Sequence, residues 1–141
     1  MKPYIATMAM ALCLVAPRLA LAEEQEAKDA AVKTAEARLA LVDEENYPAG
    51  WEQAANYLKR VVATQEAFAT SLAAVRTPLG KPVSRTPTSA QYSTSLPGAP
   101  DGEYVVIQHQ SSFEHKQSAV ETITPMREAD GTWRVSGYYI K

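Results

Sequence analysis

Few side chains in these 141 residues are placed for chemistry, and His109 heads them. It follows Val105 and Ile107 at alternate positions of a strand-like run, so it shares their face. An imidazole titrates near neutrality and can act as general acid or base beside a carboxylate. Asp43 and Glu121 are the carboxylates that folding could bring to it, and Tyr139 is a third polar candidate. A plainer reading makes His109 a strand histidine hydrogen-bonded at a rim. Asp43 then caps a helix or pairs locally with Arg76 or Arg85, and Glu121 lies on the wet face of a sheet. The plainer reading is the stronger one, because no acid or nucleophile stands at a recognisable spacing from His109.

Metal ligation has little to build on. His109 and His115 are the only histidines, six residues apart; six extended residues span about 20 Å, against metal–nitrogen bonds of about 2 Å. The G-x-S-x-G, P-loop, H-E-x-x-H and G-x-G-x-x-G signatures are missing. Neither a metal nor a cofactor is expected.

The elements that must position these residues are helices first, then strands. Val32, Ala35, Leu39 and Val42 recur at helical spacing, which predicts a helix over 25–44 with alanines raising its propensity. Its acidic end, Asp43-Glu44-Glu45, is unfavourable at a helix C-terminus, and Asn46 and Pro48 stop it. A second helix is expected over 49–60, with Trp51, Ala54, Ala55 and Leu58 on one stripe. Thr64 is a candidate N-cap for a third helix that runs to Val75, with Phe68, Leu72 and Val75 as its apolar face. From Thr77 onward the pattern alternates. Residues 83–96, with Pro87 inside, read as an edge or bulged strand. Strands are expected over 103–113, 118–126 and 132–140, the last two joined by an Asp130-Gly131 hairpin. Trp133, Val135 and Tyr139 would face one way, and Arg134, Ser136 and Tyr138 the other. The layout is α+β: N-terminal helices packed on a curved antiparallel four-stranded meander.

Length and composition agree with one globular domain: 46% hydrophobic, 21% charged and a formal charge of −2. A general nucleic-acid binder, which needs a basic face, is excluded. Residues 1–22 read as a secretory signal peptide. Lys2 gives the positive start, Tyr4 to Ala16 the apolar run, and Ala20-Leu21-Ala22 the small-residue cleavage site. Cys13 lies inside that run behind Leu12, which does not suit a lipoprotein site, so the mature chain would lack cysteine. Loss of Lys2 and Arg18 leaves 12 basic against 16 acidic residues, a charge near −4. The expected product is a single domain over 23–141, periplasmic or secreted, with no membrane span once the signal is removed.

The mature chain resembles a bacterial family known as domain of unknown function 4019. The resemblance is carried by Leu39, Leu41-Val42-Asp43, Tyr47, Trp51, Arg76-x-Pro78-Leu79-Gly80 and Arg85. It continues through Pro97-Gly98-Ala99-Pro100-Asp101-Gly102-Glu103-Tyr104 and Gly131-x-Trp133-Arg134-Val135-Ser136-Gly137-Tyr138-Tyr139. The chain departs from the pattern at Ala37 or Arg38, where an aromatic is expected, and at Gly50, where a serine is. The resemblance implies a small secreted protein and brings no catalytic residues with it. A looser similarity is to the nuclear-transport-factor-2-like cone, whose final strands often carry a run like Gly131 to Val135. That fold hosts isomerases, dehydratases, ligand binders and inert dimerisation modules, so it leaves activity open.

The leading expectation is a non-enzymatic binding module for a protein partner or a small apolar ligand. The ligand version has a cavity lined by Phe68, Leu72, Trp133, Val135 and Tyr139. The partner version uses an outer sheet face bearing Gln108, Gln110, Arg134 and Tyr138, through which a homodimer could form. The alternative is a small cone-fold isomerase or hydrolase using His109 with a carboxylate. A pure scaffold of the envelope is the third.

Overall fold

A computed structural model describes residues 16–141. Most of the expected signal segment, Cys13 included, lies outside the described residues; residues 16–22 begin the first helix, α1 (Ala16–Asp43). That helix buries a stripe of Ala27, Ala31, Ala35, Leu39 and Val42. Three small residues lead the stripe, and this lets the helix axis approach the sheet closely. It ends at Asp43, just before the Asn46 and Pro48 expected to stop it, and Asn46 caps the next helix by accepting from the Ala49 N–H at 3.4 Å.

The single helix expected over 49–60 is two: α2 (Tyr47–Glu52) and α3 (Asn56–Val62). Between them Ala54 makes a parallel bridge to Val135, and the Ala55 N–H donates to the Val135 carbonyl at 2.9 Å. Both alanines are fully buried. Backbone groups spent on a strand cannot continue a helix, and hydropathy periodicity carries no sign of that bargain. The third expected helix is α4 (Gln65–Arg76), capped by Thr64, whose hydroxyl accepts from the Ala67 N–H at 3.1 Å. Phe68 and Leu72 point inward; Val75 does not, and Arg76 takes the next buried place.

A 3-10 turn (Thr77–Leu79) and Gly80 then turn the chain into the sheet. Four strands follow: β1 (Pro82–Ser93), β2 (Tyr104–Phe113), β3 (Lys116–Arg127) and β4 (Trp133–Ile140). They pair antiparallel in the order β1-β2-β3-β4, the expected meander with helices on one face. β1 is an edge strand broken by irregularities at Pro82/Ser84 and Pro87/Ser89, where proline cannot donate to the ladder. On the covered face Val105, Ile107, Ile123 and Val135 meet Ala31, Ala35 and Leu39 of α1. A second cluster joins Val42, Phe68 and Leu72, with Tyr138 packed against it.

The side assignment in β4 needs correcting past Val135. Thr124 pairs with Gly137 and Pro125 with Val135, so Ser136 is an extra residue. Pro125 sits in an interior strand without an N–H, and the ladder slips there. The Ser136 hydroxyl donates to the Thr124 carbonyl at 2.8 Å. A bulge reverses the alternation beyond it. Tyr138, expected outside, therefore packs inward, and Tyr139, expected inside, is 49% exposed.

Among the described residues no helix is long and apolar enough to cross a membrane. Gly80 has φ +73° and ψ −161°, a conformation close to glycine-only, and a Cβ there would lie 2.9 Å from Glu114 Cβ. Gly98 has a similar φ of +76° with nothing within 4 Å. Gly80→Ala should cost about 3 kcal/mol and Gly98→Ala about 1 kcal/mol, as read by urea unfolding. Equal losses would contradict the close approach.

Candidate functional site

The most heavily charged interior of the protein is built around Arg85 on β1. Its Nη1 and Nη2 donate to Asp43, the last residue of α1, at 2.8 and 3.0 Å. Its Nε and Nη2 donate on the other side to Glu121 of β3, the latter at 3.0 Å. One guanidinium thus bridges two carboxylates, each held at both oxygens, the geometry in which arginine binds most strongly. Arg76 of α4 adds a second cation, donating from Nη2 to Asp43 at 2.8 Å and lying over the Phe113 ring at 5.0 Å. Glu121 also accepts from Tyr138 of β4 at 2.9 Å and from Ser111 of β2 at 3.0 Å. Two acids and two arginines leave the cluster neutral.

Burial alone would push the Asp43 and Glu121 carboxyls up. For Asp43 the hydrogen bonds from Arg85 and then Arg76 outweigh it, and for Glu121 those from Arg85, Tyr138 and Ser111 do, so both stay below the ordinary carboxylate range. Burial also works against the charge of Arg85, and its bonds to Asp43 and Glu121 reverse that and raise its pKa. Burial, then the Glu121 charge, pushes the Tyr138 phenol up, so it stays a donor. The helix end that looked electrostatically wrong is resolved by these two arginines.

The pairing of Asp43 with Arg76 and Arg85 matches the plainer sequence reading. The placement of Glu121 does not: it is fully buried, not on the wet face. Its register neighbours explain this, because Ala119 and Ile123 on the same parity both face the core. His109 is buried too, and pairs across the sheet with Glu121. Burial lowers its pKa, with the Glu121 charge opposing. Its Nδ1 has no hydrogen-bond partner. Glu121 already accepts four hydrogen bonds, as many as a carboxylate has lone-pair sites. His115 is exposed at the β2–β3 turn, away from His109. Among the described residues no group of three or more His, Cys, Asp or Glu side chains converges to hold a metal.

A separate cavity of about 170 Å³ lies between α3, α4 and the sheet. Phe68, Leu72 and Val135, three of the five residues expected to line a ligand pocket, are on its wall, with Leu58, Val62, Val75 and Tyr138. Trp133 packs instead against the α1 cluster, and Tyr139 is turned outward by the bulge. The wall also holds Arg38, which is only 4% exposed. The sequence marks Arg38 only as a departure from the family pattern, although Ala31, Ala35, Arg38 and Val42 follow one another at helical spacing on the buried stripe. Another recess, about 710 Å³, is a different kind of place, edged by Glu23, Glu24, Glu26, Glu103 and Arg127.

The expected interface residues do not share a face. Gln110 is exposed and Gln108 half-buried on the uncovered side of the sheet, while Arg134 donates from Nη1 to the Glu52 carbonyl at 3.2 Å and Tyr138 is inside.

Two predictions follow from the charge cluster. Glu121→Gln should cost about 3 kcal/mol in urea unfolding, because it breaks an ion pair whose acid is fully buried and leaves Arg85 with Asp43 alone. Asp43→Asn should cost less, its side chain being 22% exposed and open to water. Because the pKa values of His109, Asp43 and Glu121 are lowered on folding, each contributes stability that is present above its ordinary value and lost as pH falls. Tm should drop first below 6.5, where an unfolded histidine takes its proton, and again below 4.5, with the carboxylates. His109→Gln should remove the first drop and keep the second. A flat Tm between about pH 7 and pH 5 in the wild type would contradict the buried neutral imidazole.

No curated protein and no solved structure matches the chain. A family profile does, over residues 34–138, from the last third of α1 to Tyr138. The match takes in the charge cluster, the cavity wall and the β4 bulge. By this match the chain belongs to the family described as protein of unknown function, DUF4019.

Proposed function

We propose that the protein is an exported, non-enzymatic domain over residues 23–141 that binds a small apolar ligand in the cavity between α3, α4 and the sheet. The cavity itself carries the reading: about 170 Å³, walled by Leu58, Val62, Phe68, Leu72, Val75 and Val135. Concave, mostly apolar space with one or two polar groups is the usual form of a small-molecule site. The enzymatic alternative has less to rest on, because the carboxylate facing His109 is saturated by Arg85, Tyr138 and Ser111. Export rests on the sequence: Lys2, the apolar run to Ala16 and the Ala20-Leu21-Ala22 site. The looser likeness to the cone fold, which includes ligand binders, agrees with this reading.

Native mass spectrometry of the chain recovered gently from a periplasmic fraction tests both parts. The polypeptide should begin at Glu23. An extra mass should survive native conditions and leave on denaturation. Ser71, exposed at the cavity rim, offers a plug: Ser71→Trp should abolish the extra mass while changing stability by only about 0.5 kcal/mol. A bare chain from gentle purification, or a mass retained by Ser71→Trp, would count against the cavity as the binding site.

A further inference from the structure

Arg38 is the least expected residue of that cavity. It projects from the buried stripe of α1, where its neighbours are Ala31, Ala35 and Val42, and it is 4% exposed. Its Nη2 has no hydrogen-bond partner. Among the described residues none of the ion pairs includes it, whereas Arg76 and Arg85 are both matched to carboxylates. Its guanidinium lies 5.4 Å from the centre of the Phe68 ring, which is itself on the cavity wall. A cation over a ring is partly compensated, but a ring supplies no acceptor for the N–H groups.

Resting on the reading that the cavity binds a small apolar ligand, we propose that the ligand is a monocarboxylate with an aromatic or branched apolar tail, its carboxylate received by Arg38. The charge is matched by elimination. A cationic ligand is repelled by Arg38, and a neutral one leaves a buried guanidinium without a counter-charge, a costly state. One carboxylate neutralises it and offers the guanidinium an acceptor, which the Phe68 ring does not. A phosphate would bring a second negative charge into a wall that, apart from Arg38, Ser71 and Tyr138, is apolar. The tail is set by volume, since an apolar cavity of about 150 Å³ holds a benzene ring. About 170 Å³ leaves room for one ring or a branched chain of similar bulk. Burial pulls the Arg38 pKa down to about 10, so the side chain keeps its charge at neutral pH.

Titration calorimetry of the purified protein with benzoate, benzyl alcohol and acetate separates charge from tail, and Trp51, 5.6 Å from the Phe68 ring, gives a fluorescence readout. Benzoate should bind at least about tenfold more tightly than benzyl alcohol or acetate, the margin of a charge-assisted hydrogen bond in a dry site. Arg38→Met, which keeps the apolar stem, should lose that margin and bind benzyl alcohol as well as the wild type does. It should also unfold at no lower temperature, because it removes a buried unpaired charge. If benzyl alcohol matches benzoate in the wild type, the carboxylate assignment fails and the apolar site stands. If acetate matches benzoate, the tail assignment fails. If none of the three binds, this inference falls together with the binding reading on which it rests. The wild-type comparison decides between these outcomes even if Arg38→Met does not fold.

Discussion

Everything in this fold converges on one guanidinium held between two carboxylates. Arg85 joins the end of α1 to β3; Arg76 brings α4 to the same acid, and Ser111 and Tyr138 add β2 and β4. Every strand and both of the longer helices therefore meet at one neutral knot of hydrogen bonds. Such a buried cluster is poor testimony for net stability, because desolvating four charges offsets most of their attraction. Its effect is on geometry. A carboxylate bound at both oxygens tolerates little rotation, so the C-terminal end of α1 can sit against the sheet in essentially one register. Apolar clusters alone would allow a helix of small residues to slide.

Much of this arrangement was legible in the sequence. The helix-then-meander order, the Thr64 cap and the broken edge strand follow from periodicity, capping chemistry and proline. The Asp43 pairing was also readable, because an acid at a helix C-terminus needs a cation nearby. What escaped were the places where a local rule met a tertiary partner. The charge of Glu121 argues for the wet face, whereas its alternation with Ala119 and Ile123 puts it inside. Tyr138 and Tyr139 changed faces because one extra residue, Ser136, sits opposite a proline with no N–H to give. Ala54 and Ala55 left the helix for an exposed strand edge at Val135. None of these is visible in a single segment, since the cause lies on another strand.

The two interior arginine environments make a useful contrast. Arg76 and Arg85 are each paired with an acid within the chain, although the buried Nε of Arg76 has no hydrogen-bond partner. Arg38 has an aromatic face and no acid. Arg38 lies on α1 little more than one turn before Asp43, the acid that holds both Arg76 and Arg85. Two of these buried cations have a counter-charge within the chain and the third has none, and that third stands on the wall of a largely apolar cavity.

The central knot also has a bearing on time. Arg85 reaches 42 residues back to Asp43 and 36 residues forward to Glu121, and Arg76 reaches 62 residues to Tyr138. Contacts of such separation close slowly, because loop entropy is lost before the contact rewards it. Tyr138 lies in the final strand, so a chain emerging N-terminus first exposes Asp43, Arg76 and Arg85 long before their last neighbours exist. Until β4 arrives, these charges remain in water and the sheet interior stays open. The fold closes only when β4 is made, and a chain that lacks Trp133–Ile140 is left without the strand that shuts it.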